Sequence, residues 1–182
     1  MKAFMKTTLL TGLLVMLFAT TALAGDPENT LFLDTKYGRV VIEMRPDLAP
    51  QHVKRIKELV RMKFYDGIVF HRVMDGFMAQ TGDPTGTGRG GSGKNLPAEF
   101  SNAPFNRGTV GMARAQSPNS GDSQFFICFD KAHFLNGQYT VWGQVTSGME
   151  AVDKIKRGAP GSGTVTNPDK IIRMQVAADV PK

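Results

Sequence analysis

From residue 30 to residue 176 the chain is cut into short runs rich in β-branched and aromatic residues, with Gly, Pro, Asn and Asp punctuating the gaps between them. Such runs suit a pleated, half-buried surface, and the punctuating residues supply the φ values and local side-chain bonds of tight turns. Eight strands are expected, at 30–35, 39–44, 68–73, 77–80, 110–114, 124–129, 140–145 and 171–176. Two segments break the rhythm. Residues 50–62 place Val53, Ile56, Leu59 and Val60 at helical spacing behind Pro50, a favoured first-turn residue. Residues 149–157 place Met149, Val152 and Ile155 three apart, with Ser147 and Glu150 spaced as a capping box and Gly158 as a stop. The pattern predicts a mainly β fold, a closed eight-stranded antiparallel barrel capped by two α-helices.

The first 24 residues do not belong to that pattern. Lys2 and Lys6 precede an apolar run from Leu9 to Phe18, and the run closes on Ala22-Leu23-Ala24. Charge, apolar core and small-residue site are the parts of a secretory signal peptide. The run is shorter than the ~20 residues a bilayer span needs. Cleavage after Ala24 is expected, leaving residues 25–182 as one domain with no stable membrane insertion. No cysteine follows the cleavage site to carry a lipid. Export points to the periplasm. The leader holds two lysines and no acid, so the net charge of +6 becomes +4 without it. That suits solubility. Lys54, Arg55, Lys57, Arg61 and Lys63 read as the wet face of the first helix, and no nucleic-acid partner is expected.

Several motifs have weaker chemistry than their letters suggest. Gly86-Thr87-Gly88-Arg89-Gly90-Gly91 fits G-x-G-x-x-G, but it runs into Asn95-Leu96-Pro97 and does not open a helix. It reads as a surface loop. Gly121-Asp122-Ser123 resembles a protease nucleophile segment, yet Gln124-Phe125 follows where an oxyanion hole needs room, so Ser123 reads as a buried turn residue. His52, His71 and His133 lack metal-ligand spacing, and His71 reads as a satisfied structural histidine. No metal or other cofactor is expected. The single cysteine, Cys128, sits in Phe125-Phe126-Ile127-Cys128-Phe129 and reads as a small buried apolar residue.

Four segments carry the functional signal. They are Val69-Phe70-His71-Arg72-Val73 with Gly76-Phe77-Met78-Ala79-Gln80-Thr81-Gly82-Asp83; Gly108-Thr109-Val110-Gly111-Met112-Ala113-Arg114; Ser120-Gly121-Asp122-Ser123-Gln124-Phe125-Phe126-Ile127; and Phe134-Leu135-Asn136-Gly137-Gln138-Tyr139 with Val141-Trp142-Gly143. In order and content this set resembles the cyclophilin family of peptidyl-prolyl cis-trans isomerases, over nearly all of residues 30–177, and its details are similar to the bacterial branch. The resemblance implies catalysis of rotation about X-Pro bonds in unfolded or flexible exported polypeptides by a monomer. It also implies roles. Arg72 is the catalytic cation and Gln80 steadies it. Phe77, Met78, Phe126 and Leu135 form the proline socket, with Phe134 and Tyr139 on its wall. Ala113, Arg114 and Ala115 offer backbone to the substrate, and Gln124 adds a polar contact. Met112 and Phe125 are expected to face the core, since neighbours on a strand alternate.

Elementary chemistry agrees with those roles. Rotation about X-Pro breaks amide resonance against a barrier of ~18–20 kcal/mol and cleaves no bond. It therefore needs neither nucleophile nor metal, only tighter binding of the twisted amide. Arg72 can supply a fixed charge and a rigid fork of donors. A non-catalytic chaperone for proline-containing peptides, using the same groove, is the alternative. A carrier of small apolar ligands is disfavoured, because the barrel's own Phe, Ile, Val and Met residues should fill it. Three positions depart from the family's commonest residues. Phe134 stands for tryptophan and lacks the indole donor, so weak cyclosporin binding is expected. Tyr139 stands for histidine. Arg114 stands for asparagine, which suggests a mild preference for acidic residues before the proline.

Overall fold

A computed structural model of the chain describes residues 25–181. The expected leader lies outside them. Eight strands form one antiparallel sheet: β1 (Thr30–Thr35), β2 (Gly38–Met44), β3 (Arg72–Met74), β4 (Met78–Thr81), β5 (Thr109–Met112), β6 (Phe125–Cys128), β7 (Val141–Ser147) and β8 (Arg173–Val176). Their order is β3-β4-β6-β5-β7-β2-β1-β8. The helices are α1 (Pro50–Arg61) and α2 (Met149–Asp153). Among the described residues no helix is long and apolar enough to cross a membrane.

The sheet curls strongly, but the closed barrel expected from the sequence is realised only in part. β3 and β8 end the sheet without a ladder between them. The seam is spanned by loop segments: Phe70 N–H donates to the Asp169 carbonyl at 2.8 Å, Gly67 N–H to Ile171 at 2.8 Å, and Val73 N–H to Gly163 at 2.7 Å. The expected strand 68–73 is correspondingly short. Only Arg72–Met74 pairs as a strand, because the residues before it bond to loop backbone.

Strand alternation here serves two interiors. Phe125 and Ile127 of β6 belong to the main core with Met112, Trp142 and the inner face of α1. Phe126 and Cys128 turn the other way, into a second apolar cluster with Met78, Phe105 and Leu135. Both faces of β6 are therefore buried, which explains its unbroken apolar run. Met112 and Phe125 face the main core as expected. Cys128 is fully buried, and burial pushes its thiol up to about 12, so it behaves as the inert apolar residue its surroundings suggested.

Helix α1 begins with Pro50 in its first turn, but its cap comes from far along the chain. The Glu99 carboxylate accepts from the backbone N–H of Gln51 and of His52, both at 3.0 Å, and from His52 Nδ1 at 2.6 Å. Its negative charge sits at the positive end of the helix. The basic face of α1 is more engaged than expected: Arg61 pairs with Glu28 and Asp179, and Lys57 with Glu28.

The expectations for α2 need correction. It ends at Asp153, and its cap is Gly148 at φ 86°, with no side-chain bond from Ser147. Ser147 is still the last residue of β7, and a Cβ at Gly148 would collide with the Arg39 carbonyl. Beyond Asp153, Asp169 takes the Lys156 N–H at 2.8 Å and Gly158 N–H bonds to Val73, so the chain leaves the helical path.

The α1 cap has a pH signature. Burial holds the His52 imidazole below its ordinary range, against the pull of Glu99. For Glu99, burial pushes upward, but bonds from His52 and the two helix N–H groups outweigh it and the carboxyl is lowered. Both groups bind protons more readily when unfolded, so both lose stability on acidification. His52 acts first, as pH falls below about 6.5, and Glu99 below about 4.5. Thermal unfolding followed by the fluorescence of Trp142, the only tryptophan, should show Tm falling between pH 7.5 and 5. His52→Gln should remove part of that fall and leave the part due to His71, whose imidazole is also held low by burial. A wild-type Tm unchanged across it would contradict the reading.

Candidate active site

The site is built on one cross-strand row. Arg72 of β3 pairs with Gln80 of β4, Gln80 with Phe126 of β6, and Phe126 with Gly111 of β5. Residues directly opposite on an antiparallel sheet share a face, so a cation, an amide and an aromatic ring line up side by side. Gly111 completes the row by having no side chain. A Cβ there would lie 2.5 Å from Phe126 Cζ and 2.6 Å from Phe105 Cε1. The missing side chain leaves space for Phe126 to lie down, stacked on Phe105 at a centroid distance of 5.8 Å.

The Arg72 guanidinium is held from three directions. Nη1 donates to Gln80 Oε1 at 3.2 Å, Nε to the Ser162 carbonyl at 3.2 Å, and Nη2 contacts Met74 Sδ at 2.9 Å. One N–H on each terminal nitrogen is left over from these bonds. Gln80 is fixed in turn. Its Nε2 donates to Gln124 Oε1 at 2.9 Å, and Gln124 Nε2 donates to the carbonyls of Gly88 and Gly90 at 3.1 and 2.8 Å. A chain of amides thus orients the arginine from the glycine-rich loop.

That loop is ordered by Asp83, which is buried. Its carboxylate accepts from Thr85 N, Thr85 Oγ1 and Gly88 N. Burial alone would raise the Asp83 carboxyl, but these bonds prevail and lower it to about 2. The G-x-G-x-x-G letters are therefore turn glycines around an acid, with Gly86 and Gly88 at positive φ. Asp122 organises the following turn by accepting from the N–H groups of Ser92, Gly93 and Lys94. Ser123 is buried and donates to the Gly82 carbonyl at 2.7 Å.

Two adjoining cavities open along the row. The first, about 240 Å³, is lined by Arg72, Phe77, Met78, Gln80, Ala113, Arg114, Phe126, Phe134, Leu135 and Tyr139. Apart from Ala115 and Gln124, this is the whole set of residues proposed from the sequence. Ala115 and Gln124 line the second cavity, about 430 Å³, with Gly88, Arg89, Gly90, Gly91, Asn95, Ser120 and Asp122. Gln80, Ala113 and Arg114 border both. Phe126, Met78 and Leu135 are buried, forming a firm floor, while Phe134 is 66% exposed and leans on Phe77 at 5.3 Å. The strand expected to reach Arg114 stops at Met112, although Ala113 N–H still bonds to the Gln124 carbonyl at 2.9 Å.

The structure adds residues that sequence reasoning missed. Met74 and the Ser162 carbonyl hold Arg72, Gly111 makes room for Phe126, and Asp83 supports the amide relay. Ser162 lies 90 residues from Arg72, so no local signal could reveal it. His71 departs from expectation: it is buried, yet among the described residues neither ring nitrogen has a hydrogen-bond partner. Burial lowers its pKa, which favours the neutral ring.

Known proteins match this chain along most of its length. The family model described as cyclophilin type peptidyl-prolyl cis-trans isomerase/CLD matches residues 30–176. A probable peptidyl-prolyl cis-trans isomerase of Brucella suis biovar 1 (strain 1330) is 59% identical over 172 residues, covering 87% of this chain and 88% of its own. A peptidyl-prolyl cis-trans isomerase of Helicobacter pylori is 42% identical over 130 residues, covering 69% and 79%. Among solved structures, a cyclophilin from Hirschia baltica superposes with a TM-score of 0.77 at 28% identity, covering 86% of this chain and 76% of that one. A Cryptosporidium parvum cyclophilin, solved in the presence of the dipeptide Ala-Pro, gives 0.75 at 29% identity, covering 81% and 98%. With its strand order, its Arg72-to-Phe126 row and these matches, the chain belongs to the cyclophilin-type peptidyl-prolyl cis-trans isomerases.

Proposed function

We propose that the protein accelerates cis-trans rotation about X-Pro bonds of exported polypeptides, with the proline ring in the smaller cavity and Arg72 at the twisting amide. The carrying observation is the juxtaposition of a braced guanidinium and an apolar floor on one cross-strand row. As the C–N bond turns out of plane, resonance is lost and the prolyl nitrogen regains a lone pair. A donor from Arg72 can meet that lone pair only in the twisted state, so it lowers the barrier without tightening the planar forms. Phe126, Met78 and Leu135 exclude water from one side, which strengthens the interaction. The backbone of Ala113 to Ala115, at the shared border of the cavities, is suited to pair with the substrate chain, and Gln124 to add a polar contact. No cofactor enters this scheme.

Export is inferred from Lys2, Lys6, the apolar run and Ala22-Leu23-Ala24. Slow prolyl isomerisation can limit folding at tens of seconds, so a catalyst is useful where exported chains fold. The test is to express the full chain in a Gram-negative host and recover the periplasmic fraction. The mature protein should begin at Gly25 and should speed the cis-to-trans step of a proline tetrapeptide. Retention in the cytoplasm would refute export. A protein that binds proline peptides without accelerating them would support the chaperone alternative. In the same assay cyclosporin should inhibit weakly, because Phe134 offers no indole N–H; nanomolar inhibition would refute that point.

A further inference from the structure

We propose that the Arg114 side chain is a positioning brace, which locks the two loops flanking the groove and thereby sets the width of the proline cavity. The inference rests on the isomerase reading of the same groove. It concerns what Arg114's side chain does, and it departs from the acidic preference that its charge suggested.

The guanidinium is engaged by backbone carbonyls. Nε and Nη2 donate to the Gln138 carbonyl at 3.2 and 3.1 Å, and Nη1 donates to the carbonyls of Ala115 and Gln116 at 3.0 and 3.1 Å. Four of its five N–H groups are thus engaged, leaving no free fork for a substrate carboxylate. Among the described residues Arg114 is the only donor to these three carbonyls. One end of the brace therefore holds the loop after β5 and the other holds the turn at 136–139. Neither loop is joined to the other by a strand ladder.

Its Cζ also lies over the Tyr139 ring, 4.5 Å from the centroid. Tyr139 meets Phe126 edge to face at 6.0 Å and 81°. Arg114 therefore touches the wall of the proline cavity and, through that wall, its floor. It also borders both cavities, so it forms part of the boundary between them. A planar, rigid donor set that also stacks is a task for arginine; an ammonium can bond one or two carbonyls but cannot stack flat on the ring.

The test measures kcat and KM on tetrapeptides with Ala, Glu or Lys before the proline, for wild type, Arg114→Ala and Arg114→Lys. Amide hydrogen exchange over residues 115–120 and 136–139 is measured in parallel. For Arg114→Ala, KM should rise roughly five- to tenfold on all three peptides alike, with kcat within about twofold, since the chemistry at Arg72 is intact. Exchange in both loops should speed by about tenfold or more. Arg114→Lys should restore neither readout fully. A loss confined to the Glu peptide would overturn the brace in favour of charge reading, as would unchanged exchange or full rescue by lysine. If wild type itself lacked activity the isomerase reading would fail, and the exchange result would still decide whether Arg114 braces the loops.

Discussion

Replacing Arg72 by alanine is expected to lower kcat/KM by about two to three orders of magnitude, through kcat, while the fold survives. The size follows from the worth of one preorganised donor to developing charge, ~2.7–4 kcal/mol, at ~1.36 kcal/mol per factor of ten. The assignment to kcat follows from the proposed mechanism, in which the prolyl nitrogen accepts a bond only when twisted, so the lost interaction is absent from the ground state. Survival of the fold follows from position. Arg72 lies on an edge strand and is half-exposed, and its partner Gln80 keeps its bond to Gln124. A stability loss near 1 kcal/mol would shift Tm by roughly 2–4 °C. Arg72→Lys should recover little, because an ammonium cannot bond Gln80, Ser162 and Met74 and still present a donor to the amide. Tetrapeptide kinetics with parallel thermal melts would check this. An Arg72→Ala enzyme with wild-type kcat would remove the arginine from the mechanism.

Phe126→Ala is expected to act in the opposite manner, through stability and KM. The ring is buried, stacks on Phe105 and meets Tyr139 edge to face. Truncating such a ring costs about 3–5 kcal/mol in lost transfer energy and residual cavity. For a chain of this size that lowers Tm by roughly 10 °C. The floor of the smaller cavity also disappears. In the proposed complex the proline ring contacts that floor in planar and twisted states alike, so its loss is uniform and KM should rise more than kcat falls. Phe126→Leu should keep much of both. Kinetics below the melting transition, together with melts, would check the prediction. A Phe126→Ala protein with unchanged KM would show that the proline ring sits elsewhere. Arg72 and Phe126 adjoin Gln80 from its two sides, so the pair separates what the row does to the transition state from what it does to binding.

How much of this was legible beforehand depends on the range of the interaction concerned. The strands, the helix at 50–61 and the inward faces of Met112 and Phe125 follow from period and alternation, which are local properties of the chain. The ten residues of the smaller cavity were recognisable because their order resembles a family, and the structure gathers them around one cavity. Alternation by itself could not have separated them, because β6 is apolar at every position and serves two interiors. Ser147 and Glu150 matched a capping box by spacing, yet β7 runs through Ser147 and the tight approach to Arg39 requires Gly148. Spacing carries no knowledge of the neighbouring strand.

What the sequence by itself determined is the set of elements, the apolar faces and the candidate Arg72, Gln80 and Phe126. What only the tertiary structure decided is how those candidates are held. Strand register places Arg72, Gln80, Phe126 and Gly111 on one row, and register depends on pairing between strands far apart in the chain, such as Gln80 with Phe126. The Ser162 carbonyl at Arg72, the Glu99 cap on α1 and the Arg114 brace also join segments that no local pattern relates. So does the seam between β3 and β8, where loop bonds replace the ladder that a closed barrel would carry. Local propensity acts over a few residues, whereas the geometry that orients a guanidinium arises from contacts made only once the chain has curled back on itself.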